Sequence, residues 1–356
     1  MGVSTGLDGR KLLLLLLVII GQMAYLTADE IRYAGEVANL PVGANIAAMG
    51  NTGVSLPLKA TSSYWNPAAA SMLSDTEISV EYANLFLGLA HHGVVAFHLP
   101  IQNSMAVSAI WIPYYSGLIT AWDSLSGTYL ERLHNPDLRS DGSADGYFYN
   151  ANNILVLSLA RLFSISLPRA VGAALPRTAD IGAGVSFRGL WQTTHIDEKV
   201  RLGMNATLDL GLVARVGLDY DFGNREVSRH LTLGLSWRNV VPSHVVWTHS
   251  DDGSGQREYR EPVHTVQMYG LSYTDLTGLA GADWTVSASI HREYETSYHM
   301  GLEGEFWDAV SFRVGVCDRV PTLGAGIRYR NYYLDYAFRF DRLDVSAVRV
   351  NLGLKL

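Results

Sequence analysis

A single cysteine, Cys317, occurs in 356 residues. No intramolecular disulfide can therefore staple the fold, and one unpaired thiol without catalytic neighbours reads as a small strand residue. Basic runs are missing as well. Lys and Arg number 27 against 34 Asp and Glu, for a formal charge of −7. No stretch gathers the positive residues into a patch, which argues against nucleic acid as a partner. Long apolar runs are also scarce. The longest, Leu12–Ile20, is about half the roughly 20 residues a spanning helix needs.

Catalytic and metal-binding patterns are thin. Gly182-x-Gly184 and Gly324-x-Gly326 lie inside extended stretches with no helix following, which excludes a phosphate loop. His91, His92 and His98 cluster on one stretch, but no acidic or cysteine ligand joins them at a metal spacing. Ser, His and Asp are common, and no spacing among them selects a triad. The reading is of a protein that is not an enzyme, with no catalytic residues, metal or cofactor.

The short apolar run has its own meaning. Arg10 and Lys11 precede it, and Leu26-Thr27-Ala28 follows as a cleavage site before Asp29. Residues 1–28 read as a secretory signal. Residues 29–76 are rich in Gly, Ala and Asn and end near an Asn66-Pro67-Ala68 turn. From residue 77 the pattern changes to period two.

Fourteen extended stretches follow, at 77–84, 92–100, 103–112, 151–162, 179–191, 203–217, 230–239, 264–273, 284–292, 298–306, 309–317, 322–330, 332–339 and 346–355. Most reach the roughly nine residues that cross a bilayer at a tilt. Trp284, Val286, Ala288 and Ile290 share one face, against Thr285, Ser287, Ser289 and His291 on the other. A mean hydropathy near neutral, with abundant Gly, Tyr and Trp, fits apolar lipid-facing residues alternating with polar lumen residues. The fold class is therefore an all-β transmembrane antiparallel barrel of about 14 strands over 77–356, with 29–76 as a plug in its lumen. With both termini in the periplasm, the long gaps 113–150 and 240–263 fall outside the cell. The connection 163–178 is a long periplasmic exception.

Two turns set a charge pattern in the last strands. A three-residue turn at Trp307-Asp308-Ala309 places Glu303 opposite Arg313. A turn at Asn331-Tyr332 places Arg328 opposite Asp335. Opposite charges facing each other across strands favour a lumen position for all four, since a lipid-facing Arg at mid-membrane costs roughly 2–4 kcal/mol. The segment 111–149 carries Trp111, Tyr114, Tyr115, Trp122, Tyr129, Tyr147 and Tyr149, an aromatic density that reads as an external lip.

The stretch Val42 to Val54, with Gly43, Met49, Gly50 and Gly53, followed by Tyr64-Trp65-Asn66-Pro67-Ala68, resembles the opening of the PorV/PorQ family, within the FadL-like group of fourteen-stranded outer-membrane barrels. Asp209-Leu210-Gly211-Leu212, Ser236-Trp237-Arg238-Asn239, Gly301-Leu302-Glu303 and Leu334-Asp335-Tyr336-Ala337-Phe338 echo it later. The resemblance implies a hatch formed by the N-terminal segment. It also implies either type IX-like secretion, with secretion or cargo proteins as partners, or passage of a hydrophobic small molecule. The local sequence puts the secretion role first and the solute role as the alternative, with an outer-membrane enzyme a distant third. Lipid and lipopolysaccharide of the bacterial outer membrane are the surrounding partners. The closing Leu356 departs from the terminal Phe of many such barrels.

Overall fold

The computed structural model describes residues 35–102, 104–122, 125–139, 142–166, 178–196, 199–218, 220–222, 225–227, 229–251, 255–340 and 347–356. The expected signal 1–28, the first residues of the plug and most of the connection 163–178 lie outside the described residues.

Alternating apolar and polar side chains drive the chain into strands that expose opposite faces to opposite surroundings. Among the described residues, fourteen such strands make the wall. They are β1 (Glu77–Leu85), β2 (Ala90–Ile101), β3 (Met105–Ser116), β4 (Gly146–Ser166), β5 (Thr178–Ile196), β6 (Lys199–Gly217) and β7 (Arg229–Arg238). The remainder are β8 (Val266–Asp275), β9 (Ala282–Arg292), β10 (Thr296–Phe306), β11 (Val310–Cys317), β12 (Val320–Tyr329), β13 (Tyr332–Arg339) and β14 (Ala347–Lys355). Each pairs antiparallel with its neighbour in sequence. β1 also pairs with β14, from Glu77 opposite Lys355 to Asn84 opposite Val348, and so closes the barrel. Each of the fourteen expected stretches falls on one of these strands.

Closure explains how so much apolar surface can face outward. On β1, Ile78, Val80 and Tyr82 are 39%, 53% and 49% exposed, while Glu77, Ser79 and Glu81 between them are buried. The same inversion runs round the wall, with Leu208, Leu210 and Leu212 exposed on β6 and Thr207 and Asp209 buried. Such a wall suits hydrocarbon outside and a filled interior, with the backbone paired from strand to strand along most of the ladder. No described helix is long and apolar enough to cross a membrane.

The segment 240–263, expected as a long gap between strands, is itself largely extended. Ser243–Asp251 and Gly255–Val263 form a hairpin that continues the wall beyond β7 and β8. The ladder between β6 and this side lapses after the Trp237–Leu210 pair and resumes at Val246–Met204. In the gap, side chains of β6 take over: Asn205 donates to the His244 carbonyl at 3.0 Å, and Asp209 accepts from the Asn239 backbone N–H at 3.0 Å.

Inside the wall sits the plug. It contains two short helices, α1 (Ala44–Ala48) and α2 (Ser62–Trp65), and a 3₁₀ stretch from Pro67 to Met72. Residues 41–56 and 60–71 of the plug are buried. A third short helix, α3 (Tyr129–His134), lies between β3 and β4 with a Thr128/Glu131 capping box.

Candidate functional site: the interface of plug and wall

Polar groups buried inside a barrel need partners, and the plug finds them on the wall. Asn66 is fully buried. Its side-chain oxygen accepts from the Ala68 N–H at 3.0 Å, while its amide nitrogen donates to the carbonyls of Val54 at 3.0 Å and Leu212 at 2.9 Å. It therefore closes its own turn, holds a second plug segment and hooks β6. Pro67 begins the 3₁₀ stretch directly after it, where its missing N–H costs nothing.

Glycines on the wall make room for this backbone. A Cβ on Gly211 would lie 2.1 Å from Asn66 Oδ1, and one on Gly184 2.5 Å from the Pro67 carbonyl carbon. The same holds for Gly234 against Val54, Gly301 against Met49, Gly315 against Gly50 and Gly324 against Ala48. These positions form an inward-facing girdle from β5 to β12. On the plug side, Gly53 packs against the Trp65 indole, and Gly43 and Gly50 take positive φ of 88° and 67°.

Two arginines bracket the Tyr64-Trp65 pair. Arg188 of β5 donates through Nε and Nη2 to Asp209 Oδ2 at 2.9 and 2.7 Å. Arg238 of β7 donates to the Tyr64 carbonyl at 2.9 Å, and its guanidinium lies 4.3 Å from the Tyr64 ring centre. Planar, weakly hydrated guanidinium groups suit such stacking. The motif residues at 64–68, 209–211 and 238–239, far apart in sequence, thus meet at one place.

A second cluster binds the plug near the end of the barrel where the chain finishes. Glu303 of β10 lies opposite Arg313 of β11 and pairs with it. Arg313 continues to Asp335 of β13 at 2.8 Å, and Asp335 also holds Lys59 of the plug. The Lys59 ammonium stands 3.7 Å from the centre of the Tyr333 ring, and the Tyr333 hydroxyl donates to Glu77. Glu77 in turn accepts from the Ala60 N–H at 2.8 Å.

Arg328 does not face Asp335. The turn is Arg330-Asn331 rather than Asn331-Tyr332, with Arg330 at a φ of 54°, so Tyr329 pairs with Tyr332 and Arg328 with Tyr333. The register moves by two, which keeps the inward face but changes the partner. Arg328 pairs with Glu305 and donates to the Asp308 carbonyl at 3.0 Å.

The seven aromatic residues of 111–149 do not form one lip. Trp111, Tyr115, Tyr147 and Tyr149 are exposed and belong to the outer surface of β3 and β4. Tyr115 stacks on His91 at 4.8 Å, and Tyr149 on His195 at 4.1 Å. Tyr114 packs inward against a small cluster of Ala83, Leu85 and Ala90. Only Trp122 and Tyr129 lie in the connection beyond the wall. Strand alternation extends further than the sequence pattern suggests, and it sends neighbouring aromatics to opposite faces. Among the histidines, His92 sits 3.3 Å from Arg349 and His98 3.0 Å from Ser108. No metal-binding group of three ligands appears among the described residues.

Two cavities adjoin the plug. The distal one, at the end opposite Leu356, has a volume of about 200 Å³. Leu40, Pro41, Leu85, Phe86, Phe338 and Ala347 make it largely apolar, and Asn51, Thr322, Arg339 and Arg349 also line it. The proximal one measures about 130 Å³ and is lined by the charged cluster with Asn45 and Lys59.

No family model matches the chain, and no curated protein matches its sequence. Solved structures similar to it include the Ralstonia pickettii toluene transporter TbuX, at 12% identity and a TM-score of 0.42, covering 88% of this chain and 97% of that one. A Pseudomonas aeruginosa FadL homologue gives 11% identity and a TM-score of 0.42 over 89% and 97% of the two chains. A deletion mutant of the TodX monoaromatic hydrocarbon channel gives 12% and 0.41 over 88% and 97%. The strand ladders of this chain establish its barrel independently of these likenesses.

Proposed function

We propose that the protein is an outer-membrane passage for hydrophobic small molecules, with its distal end outside the cell and both termini in the periplasm. The distal cavity carries this reading. It is largely apolar, about 200 Å³ in volume, and bounded by both plug and wall. A dry apolar cavity of about 150 Å³ is enough to hold benzene. The connection between β3 and β4, with α3, and the hairpin of Ser243–Asp251 and Gly255–Val263 also lie at that end, as expected for the external side. The test is uptake of radiolabelled toluene and radiolabelled octanoate by cells that lack other hydrophobic-solute barrels. Expression should raise uptake of at least one probe well above background, and Leu85→Asp, which puts a charge on the inward face at the cavity, should remove the gain. Equal uptake with and without the protein would end the reading.

A role in type IX-like secretion of the PorV/PorQ kind is the second reading. It is supported by α3, whose Tyr129, Leu130 and Leu133 are all exposed, as a surface for a protein partner would be. Replacing these three with Ser should then impair attachment of surface proteins and leave toluene uptake intact.

A further inference from the structure

The proximal cavity differs from the distal one in its lining. The bases Lys59, Arg313, Arg328 and Lys355 border it, with the acids Glu303, Glu305 and Asp335. Asn45 borders it too. That residue is 1% exposed, and neither atom of its amide has a hydrogen-bond partner. We propose that this cavity binds a small oxyanion, a phosphate or a carboxylate, held between plug and wall. The proposal does not depend on the transport reading.

The hydrogen bonds already made there leave donors to spare. Lysine and arginine offer several N–H groups and no acceptor. Arg313 uses Nε on Glu303 and Nη1 on Asp335, while Arg328 uses Nη2 on Glu305 and Nε on the Asp308 carbonyl. Lys59 serves Asp335. Each base keeps N–H groups beyond these bonds, whereas each acid already holds a cation. Asn45 adds a neutral donor. A buried amide without a partner is costly, so one left beside a cavity marks what the cavity takes. Thr61 Oγ1 is also buried without a partner and lies close by. A Cβ on Gly43 would be 2.7 Å from it and 3.2 Å from Asn45 Oδ1.

Charge points the same way, since four bases line the cavity and three acids. Lys355 meets Asp75 at 3.0 Å, but Asp75 does not line the cavity and its side chain is 48% exposed, so water screens that pair. Glu77 does not line it either, and it is taken up by the Tyr333 hydroxyl and the Ala60 N–H. Size sets the ligand. A cavity of about 150 Å³ holds benzene, so one of about 130 Å³ suits a compact ion. Asn45 and Lys59 belong to the plug, Arg313 and Arg328 to the wall. An anion among them would fasten one to the other through charge-assisted hydrogen bonds. The partly exposed Arg328 and Lys355 side chains give it an approach from solvent.

Titration calorimetry of the purified protein in detergent tests the site, with sodium phosphate and sodium acetate as probes at constant ionic strength. At least one should bind saturably and raise the temperature of unfolding with dose. Tighter phosphate would support a phosphate ligand, and tighter acetate a carboxylate. Asn45→Asp sets a like charge against the anion and should weaken binding at least tenfold. Glu305→Gln frees Arg328 at a partly exposed position. It should fold as the wild type and bind the same probe at least threefold more tightly. Saturable binding of neither probe would overturn the proposal, as would equal binding by wild type and Glu305→Gln. Either failure leaves the uptake assay, and the transport reading, untouched.

Discussion

Arg313 reaches Asp335 across an intervening strand, with 2.8 Å between Nη1 and Oδ1. The strand between them is β12, and the residue beneath the ion pair is Gly326. A Cβ there would lie 2.7 Å from Asp335 Oδ1 and 2.8 Å from Arg313 Nη1. Gly326 thus lets one cation link Glu303, Asp335 and, through Asp335, the plug residue Lys59. Gly326→Val should separate the pair. Breaking a buried pair costs about 3–5 kcal/mol, so the variant should unfold at clearly lower temperature in detergent, read by heat-modifiable gel migration. Gly117→Ala, where the nearest atom is 3.8 Å from the added carbon, should migrate as the wild type.

Asn66 gives a sharper test of the plug. Asn66→Asp keeps the size and the acceptor for Ala68 but removes both donors. The carbonyls of Val54 and Leu212 would lose that partner in a closed space, at about 1–3 kcal/mol each. The barrel should still form, since the wall ladders are untouched. Trypsin should then cut after Lys59, which the wild type protects. Protection equal to wild type would mean that Asn66 does not anchor the plug.

The glycine girdle predicts a different phenotype. Gly211→Val and Gly301→Val place methyl groups where Asn66 Oδ1 and the Met49 carbonyl now sit, 2.1 and 2.5 Å from the new Cβ. Each should leave barrel assembly intact and raise single-channel conductance in planar bilayers, because the plug can no longer seat against the wall. Conductance unchanged from wild type would show that the plug does not depend on close approach at these strands.

Much of this architecture is visible in the sequence, and the gaps have physical causes. The wall strands are legible because an apolar face turns outward and the other meets the filled interior, so period two survives even where strand ends blur. The turn at Trp307 to Ala309 sets Glu303 against Arg313 as the spacing suggests. The turn after Tyr329 is missed by one residue, because nothing in Arg330-Asn331-Tyr332 marks which residue takes the left-handed position. The plug contacts are the least legible part. Lys59, Glu77, Glu81, Arg188, Arg238 and Arg349 act through partners tens to hundreds of residues away, beyond the reach of local spacing. One signal is present in the sequence all the same. Gly182-x-Gly184 and Gly324-x-Gly326 each place two glycines on one strand face: the first pair lies where the plug backbone at Pro67 and Ala68 approaches, the second beneath the Ala48 methyl and the Arg313–Asp335 pair.

If solute enters through the distal cavity, a heavy-atom analogue of benzene should lodge there, and bromobenzene serves as that probe. Crystals of the protein soaked in bromobenzene would show bromine by anomalous scattering. A bromine peak is expected among Leu85, Phe86, Phe338 and Ala347. Bromine confined to the outer wall at saturating bromobenzene, with none in that cavity, would contradict it.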